Sequence, residues 1–197
     1  MNKLMLAGAM ALATATPALA RDEAPFTGLR IEGVVGWDRQ GDGTGQRDAK
    51  GDGVVYGAQV GYDKQLGGVI LGIEGELTWA STKTRARNVL VAGDELFAST
   101  DRDIYLGARI GAPLSSTAMI YAKAGWTNAR YEGFYSTPTA ALDGSSNSDG
   151  FRLGAGTELK LTGKTCLKAE YRYSNYGDGP RTDVDRHQVL GGVGFRF

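Results

Sequence analysis

The stretch Arg186–Phe197, "RHQVLGGVGFRF", decides the fold. His187, Val189, Gly191, Val193, Phe195 and Phe197 fall on one parity, and Arg186, Gln188, Leu190, Gly192, Gly194 and Arg196 on the other. A period of two is the signature of a strand with two unlike faces. The strand stops on an aromatic, whereas soluble domains commonly end on a few frayed polar residues. An alternating strand ending on Phe197 makes sense if it has to close a sheet onto its first strand.

The same alternation recurs upstream. It is read at "GLRIEGVVGWD" from Gly28, "GVVYGAQVGYDKQ" from Gly53, "VILGIEGELTWAS" from Val69 and "RDIYLGARIGAPL" from Arg102. It continues at "AMIYAKAGWTNARYEG" from Ala118, "GFRLGAGTELKL" from Gly150 and "CLKAEYRYSNYG" from Cys166. With the closing stretch this makes eight strands, each of the length a tilted membrane strand needs, about 9–11 residues. Short connections (Leu66–Gly68, Ser115–Thr117, Thr162–Thr165) alternate with long polar ones (Arg39–Asp52, Thr82–Asp101, Phe134–Asp149, Asp178–Asp185). Short turns on one side and long loops on the other are the layout of an outer-membrane barrel. The expected fold is therefore all-β, an eight-stranded antiparallel transmembrane β-barrel with short periplasmic turns and four longer extracellular loops.

One face of these strands carries no charge: Leu29, Ile31, Val35 and Trp37, for example, or Val69, Leu71, Ile73, Leu77 and Trp79. The other is crowded with Arg30, Glu32, Glu74, Glu76, Arg109, Lys123, Arg152, Glu158, Lys168, Glu170, Arg172 and Arg196. In a barrel of this size the interior is just wide enough for side chains to fill. Interleaved charges of both signs then predict a lumen plugged by ion pairs, with Gly57, Gly72, Gly107, Gly154 and Gly192 making room for the long side chains. A soluble β-sandwich or a lipocalin-like barrel would use the same alternation the other way round, and alternation alone does not separate them.

Residues 1–20 have the three parts of a secretory signal peptide: Lys3, a short apolar run and the small-x-small site Ala18–Ala20. The expected domain organisation is a signal peptide over 1–20 and one barrel domain over 21–197, in the outer membrane. Formal net charge is zero at neutral pH, which argues against a nucleic-acid partner. Cys166 is the single cysteine, so no intrachain disulfide forms.

Basic residues in or beside the outer loops, Lys83, Arg85, Arg87, Arg102, Arg130, Arg181 and Arg186, are candidates for phosphate contacts with lipopolysaccharide or an equivalent glycolipid. Asp38, Asp42, Asp48 and Asp52 lie among glycines, but without the spacing of a calcium loop; no metal or cofactor is expected. "GDGTG" lacks the strand-to-helix setting of a phosphate-binding loop.

The segments "GAQVGYDKQ", "GIEGELTWAS", "KAGWTNARY", "KAEYRYSNYG" and "GVGFRF" together resemble the small opacity-protein-like outer-membrane β-barrels of α-proteobacteria, often filed as porin-family proteins. The resemblance covers essentially the whole mature chain. It implies a surface antigen or envelope-stabilising barrel, monomeric, without an assigned reaction. It also implies that Phe195 and Phe197 form the signal read by the barrel-insertion machinery. A narrow channel for small solutes is the alternative. A third reading comes from Tyr173-Ser174-Asn175, which is similar to the His-Tyr-Ser-Asn run of lipid A deacylases. Here Arg172 stands at the histidine position and cannot accept a proton at neutral pH. His187, the single histidine, falls on the opposite parity from Ser174's face, so the pair is not expected to meet.

Overall fold

The computed structural model describes residues 24–42, 51–81, 83–87, 95–136, 141–161, 164–177 and 184–197. Its strands are β1 (Gly28–Asp42), β2 (Gly51–Leu66), β3 (Val69–Ala80), β4 (Lys83–Arg87), β5 (Glu95–Pro113), β6 (Ala118–Ser136), β7 (Ala141–Lys160), β8 (Thr165–Tyr176) and β9 (Val184–Arg196). Each of the long strands pairs antiparallel with its chain neighbours, and β1 also pairs with β9 from Arg30↔Arg196 to Asp42↔Val184. β3 pairs with β5 from Ile70↔Gly111 to Trp79↔Arg102, so the ring of eight strands is closed. Closure leaves no strand edge within the ring, which is what lipid requires of a backbone that water cannot reach.

The alternation sets the two faces. Ile31, Val35, Ile73, Leu106 and Val189 are exposed on the outside, with Ile73 at 68 % the most exposed of them. Aromatic rings gather toward the strand ends near the long connections, where Tyr56 stacks on Trp79 at 6.3 Å between centroids. Amphipathic rings at that level suit the headgroup boundary of a bilayer. Phe195 and Phe197 are exposed at the opposite end, and the backbone N–H of Phe197 donates to the carbonyl of Leu29 at 2.8 Å.

Two of the four expected long loops are largely strand. β5, β6 and β7 run on past the level where β3 and β8 stop, pairing from Glu95↔Ser136 and from Ser136↔Ala141. β4 lies against the outer part of β5, from Lys83↔Ser99 to Arg87↔Glu95. A register shift between Thr100 and Asp103 in β5 marks a bulge where the ladder leaves the barrel wall. These outer ends show no clean apolar alternation because they have no single apolar phase to face. Their backbone ladder pairs residue by residue, and sequence periodicity does not record that.

Candidate functional site: the charged lumen

Eight basic and eight acidic side chains are buried among the described residues. All twelve charges expected inside are among them, on the inward face of their strands. Near the short turns, Asp63 of β2 collects three arginines. Arg30 Nε donates to it at 3.1 Å, Arg109 Nε at 2.8 Å and Arg196 Nη1 at 2.8 Å. Glu158 of β7 takes the other ends of Arg109 and Arg196, at 3.0 and 2.6 Å.

In the middle, Lys123 Nζ lies 2.9 Å from both Glu74 and Glu170 and 3.7 Å from Glu76. Arg30 also reaches Glu32 at 3.0 Å and bonds Glu74. Lys168 lies 3.2 Å from Glu32 and 3.4 Å from Glu170, and donates to Gln59. Tyr121 donates its hydroxyl to Glu170 at 2.7 Å. Arg152 and Arg172 converge on Glu76, Arg152 at 2.9 Å.

Toward the long loops, Asp103 accepts from Arg186 Nη1 at 2.8 Å, Tyr176 at 2.7 Å, Thr127 at 2.6 Å and Arg152. Asp38 accepts from Arg186 Nε at 2.6 Å and from Gln188 Nε2 at 2.8 Å. The acids and bases alternate from end to end. Removing two ions from water is costly unless geometry and further hydrogen bonds compensate, and here nearly every carboxylate has two or more donors.

Glycines give the long side chains their space. A Cβ at Gly192 would stand 2.9 Å from Lys168 Cγ, at Gly154 3.1 Å from Lys123 Cγ, and at Gly72 2.0 Å from Asp63 Oδ1. Alanine at position 72 would therefore displace the carboxylate that gathers three arginines.

One sequence expectation is corrected. Arg186 is not a surface glycolipid contact: it is fully buried between Asp38 and Asp103, because its parity on β9 points into the barrel. Asp38, grouped in the sequence with Asp42, Asp48 and Asp52, is the buried partner of Arg186 and Gln188 at this end of the lumen. Arg102 and Arg130 are half-buried at the outer level, and Arg130 donates to Ser145 at 3.2 Å. The side chains of Lys83, Arg85 and Arg87, and Arg181, Asp42 and Asp48 with them, lie outside the described residues. Asp52 is exposed and accepts from Arg39 Nε at 2.9 Å; this hydrogen bond holds its carboxyl below the ordinary aspartate range. Asp63, Asp103 and Tyr176, also part of the lumen network, went unremarked in the sequence, although Asp103 shares parity with Arg109 on β5 and Tyr176 with Arg172 on β8.

Ser174 and His187 sit on opposite sides of the barrel wall. Ser174 is buried and accepts from Arg152 Nε at 2.8 Å. His187 is outside, its Nδ1 2.8 Å from the Tyr171 hydroxyl and its ring 5.2 Å from that of Tyr173.

Comparison with known proteins agrees with the barrel fold. The profile of a family described as "Outer membrane protein beta-barrel domain" matches residues 5–197. The chain is 29 % identical over 170 residues to the 31 kDa outer-membrane immunogenic protein of Brucella melitensis, covering 78 % of this chain and 70 % of that one. It is 28 % identical over 181 residues to the 25 kDa outer-membrane immunogenic protein of Brucella canis, covering 87 % and 78 %. Among solved structures, Neisserial surface protein A superposes with a TM-score of 0.55 at 16 % identity, over 87 % of this chain and 98 % of that one. Ail, the attachment invasion locus protein of Yersinia pestis, gives 0.54 at 16 % identity, over 87 % and 99 %. The chain thus belongs to the outer-membrane protein β-barrel domain family and is a protein of the outer membrane.

Proposed function

We propose that this is a non-enzymatic barrel that seals its own lumen with ion pairs and serves the envelope through its outer surface. One observation carries the reading: among the described residues eight cations and eight carboxylates interlock along the inside, balanced in sign. A pore selective for an ion keeps a surplus of the opposite charge and a column of water. Here Glu76 binds Lys123, Arg152 and Arg172 together, bridging strands on opposite sides of the ring. The surroundings of Ser174 support the non-enzymatic part: Arg152 donates to its hydroxyl, and His187 lies on the other side of the wall.

The outward role falls to the long connections and the extended ends of β4 to β7. Lys83, Arg85, Arg87, Arg102, Arg130 and Arg181 are the candidate contacts with glycolipid phosphate. Phe195 and Phe197 are the candidate signal for the insertion machinery, and the barrel acts as a monomer. Planar-bilayer recording tests the sealed lumen: purified protein is expected to give no discrete conductance steps. Steps that change when Glu74, Glu76 or Arg109 is neutralised would overturn the seal and favour a narrow channel.

A further inference from the structure

Upstream of β1 the chain turns back under the barrel. Gly28 makes the turn at φ +133°, a conformation that side chains rarely adopt, and a Cβ there would stand 1.9 Å from the carbonyl oxygen of Phe197. The turn puts Phe26 inside the mouth beside the short connections. Its side chain is fully buried against Ile70, Met119 and Tyr121.

The segment is held by its backbone as much as by the ring. The Phe26 carbonyl accepts from Arg196 Nη1 at 2.6 Å, and the Pro25 carbonyl from Lys160 Nζ at 2.9 Å. The Phe26 N–H donates to Gln65 Oε1 at 3.3 Å, and the Gln65 N–H donates to Thr27 Oγ1 at 3.0 Å. Both cations also approach the ring, Lys160 at 5.9 Å and Arg196 at 5.8 Å from its centroid. An apolar floor, two cations aimed at carbonyl oxygens and an amide acceptor make a recognition site for one aromatic residue in an extended peptide. These contacts read an aromatic ring, the main chain of Pro25 and Phe26, and one hydroxyl, that of Thr27.

We propose that the periplasmic mouth is a peptide-binding pocket for an aromatic residue, and that residues 24–27 occupy it as a stopper on the lumen. The pocket would bind another aromatic-bearing segment whenever its own is withdrawn. Cys166 makes this measurable. It is the single cysteine, 3 % exposed, and pairs across the sheet with Gly194 and Lys160 just inside the same mouth.

The test is the rate at which N-ethylmaleimide alkylates Cys166 in the folded, lipid-reconstituted protein. Wild type is expected to react slowly. Phe26→Ala should react at least about tenfold faster, because labelling follows the population of the open mouth. Lys160→Met, which removes the tether on Pro25 and one of the two cations beside the Phe26 ring but keeps the ring itself, should give a smaller rise. The blocked peptide Ala-Pro-Phe-Thr at millimolar concentration should restore protection to Phe26→Ala, and Ala-Pro-Ala-Thr should not. A heat-dependent gel shift verifies that each variant is folded; if Phe26→Ala is not, Lys160→Met with the peptide decides. Equal rates in wild type and folded variants would overturn the stopper. Faster labelling that neither peptide suppresses would overturn the peptide site. Conductance decides the ion-pair seal above it, so the two can fail separately.

Discussion

Glu76 shows what a single buried charge does in this interior. It receives Arg152 at 2.9 Å and Arg172, with Lys123 at 3.7 Å. If Glu76 lost its charge, the ion pair left to Arg172 among the described residues would be the 3.8 Å approach to Glu170. Breaking a buried pair by removing one partner costs about 3–5 kcal/mol, because the remaining ion stays out of water unpaired. Glu76→Gln, which keeps shape and some hydrogen bonding, is expected to sit near the lower end of that range, about 3 kcal/mol. The midpoint of urea unfolding in lipid vesicles should fall accordingly, and Asp52→Asn, at an exposed pair with Arg39, should leave it unchanged. An equal response of the two would mean that the lumen is hydrated like the surface. Much of this was legible in the sequence: alternation put Glu76, Arg152 and Arg172 on the inner face. Alternation gives a face but not a partner, since partners across the ring depend on the stagger between strands. Asp63 and Asp103 went unremarked for a related reason. Acids near strand ends look like turn formers, and only the register shows Asp63 reaching Arg30, Arg109 and Arg196 from three other strands.

Among the elements, β9 carries the most consequences. It joins β8 to β1, and its inward residues cross the seam: Arg186 and Gln188 to Asp38 on β1, and Arg196 to Asp63 on β2. The residue that follows it, Phe197, is outside the ring, 59 % exposed, with Lys164 Nζ 5.0 Å from its ring centroid. Among the described residues its backbone N–H bonds the Leu29 carbonyl at the end of the ladder. Deleting Phe197 should therefore lower the stability of the folded barrel little while sharply reducing the amount assembled in the outer membrane. Membrane levels measured against urea stability separate the two effects; normal levels of the truncated chain would remove Phe197 as an insertion signal. The outer ends of β5, β6 and β7 taught the opposite lesson about reading elements. Stretches such as "ALDGSSNSD", Ala141–Asp149, have turn-like composition, yet they pair residue by residue with β6. Once a hairpin is zipped inside the membrane, extending it outward costs little loop entropy and needs no apolar face.

At the scale of the whole molecule the usual arrangement is turned inside out. Mean hydropathy is −0.26, close to that of a soluble protein, because the lumen holds the charges a soluble fold would display. Apolar burial therefore does not hold the barrel together within the bilayer, where lipid is as apolar as the outer face. What remains is a closed ladder of backbone hydrogen bonds together with the ion-pair column inside it. Such a ring must break several strand pairings at once to open, and detergent that coats its apolar face gives it no reason to do so. The unboiled protein in dodecyl sulfate is thus expected to stay compact and run ahead of the boiled chain on a gel. The temperature at which the fast form disappears should fall in Glu76→Gln, since the column is its second support, while the backbone ladder keeps some fast form present at room temperature. Identical mobilities before and after boiling, with the protein recovered in the soluble periplasm, would mean that the apolar face is packed against protein and that the ring does not span a membrane.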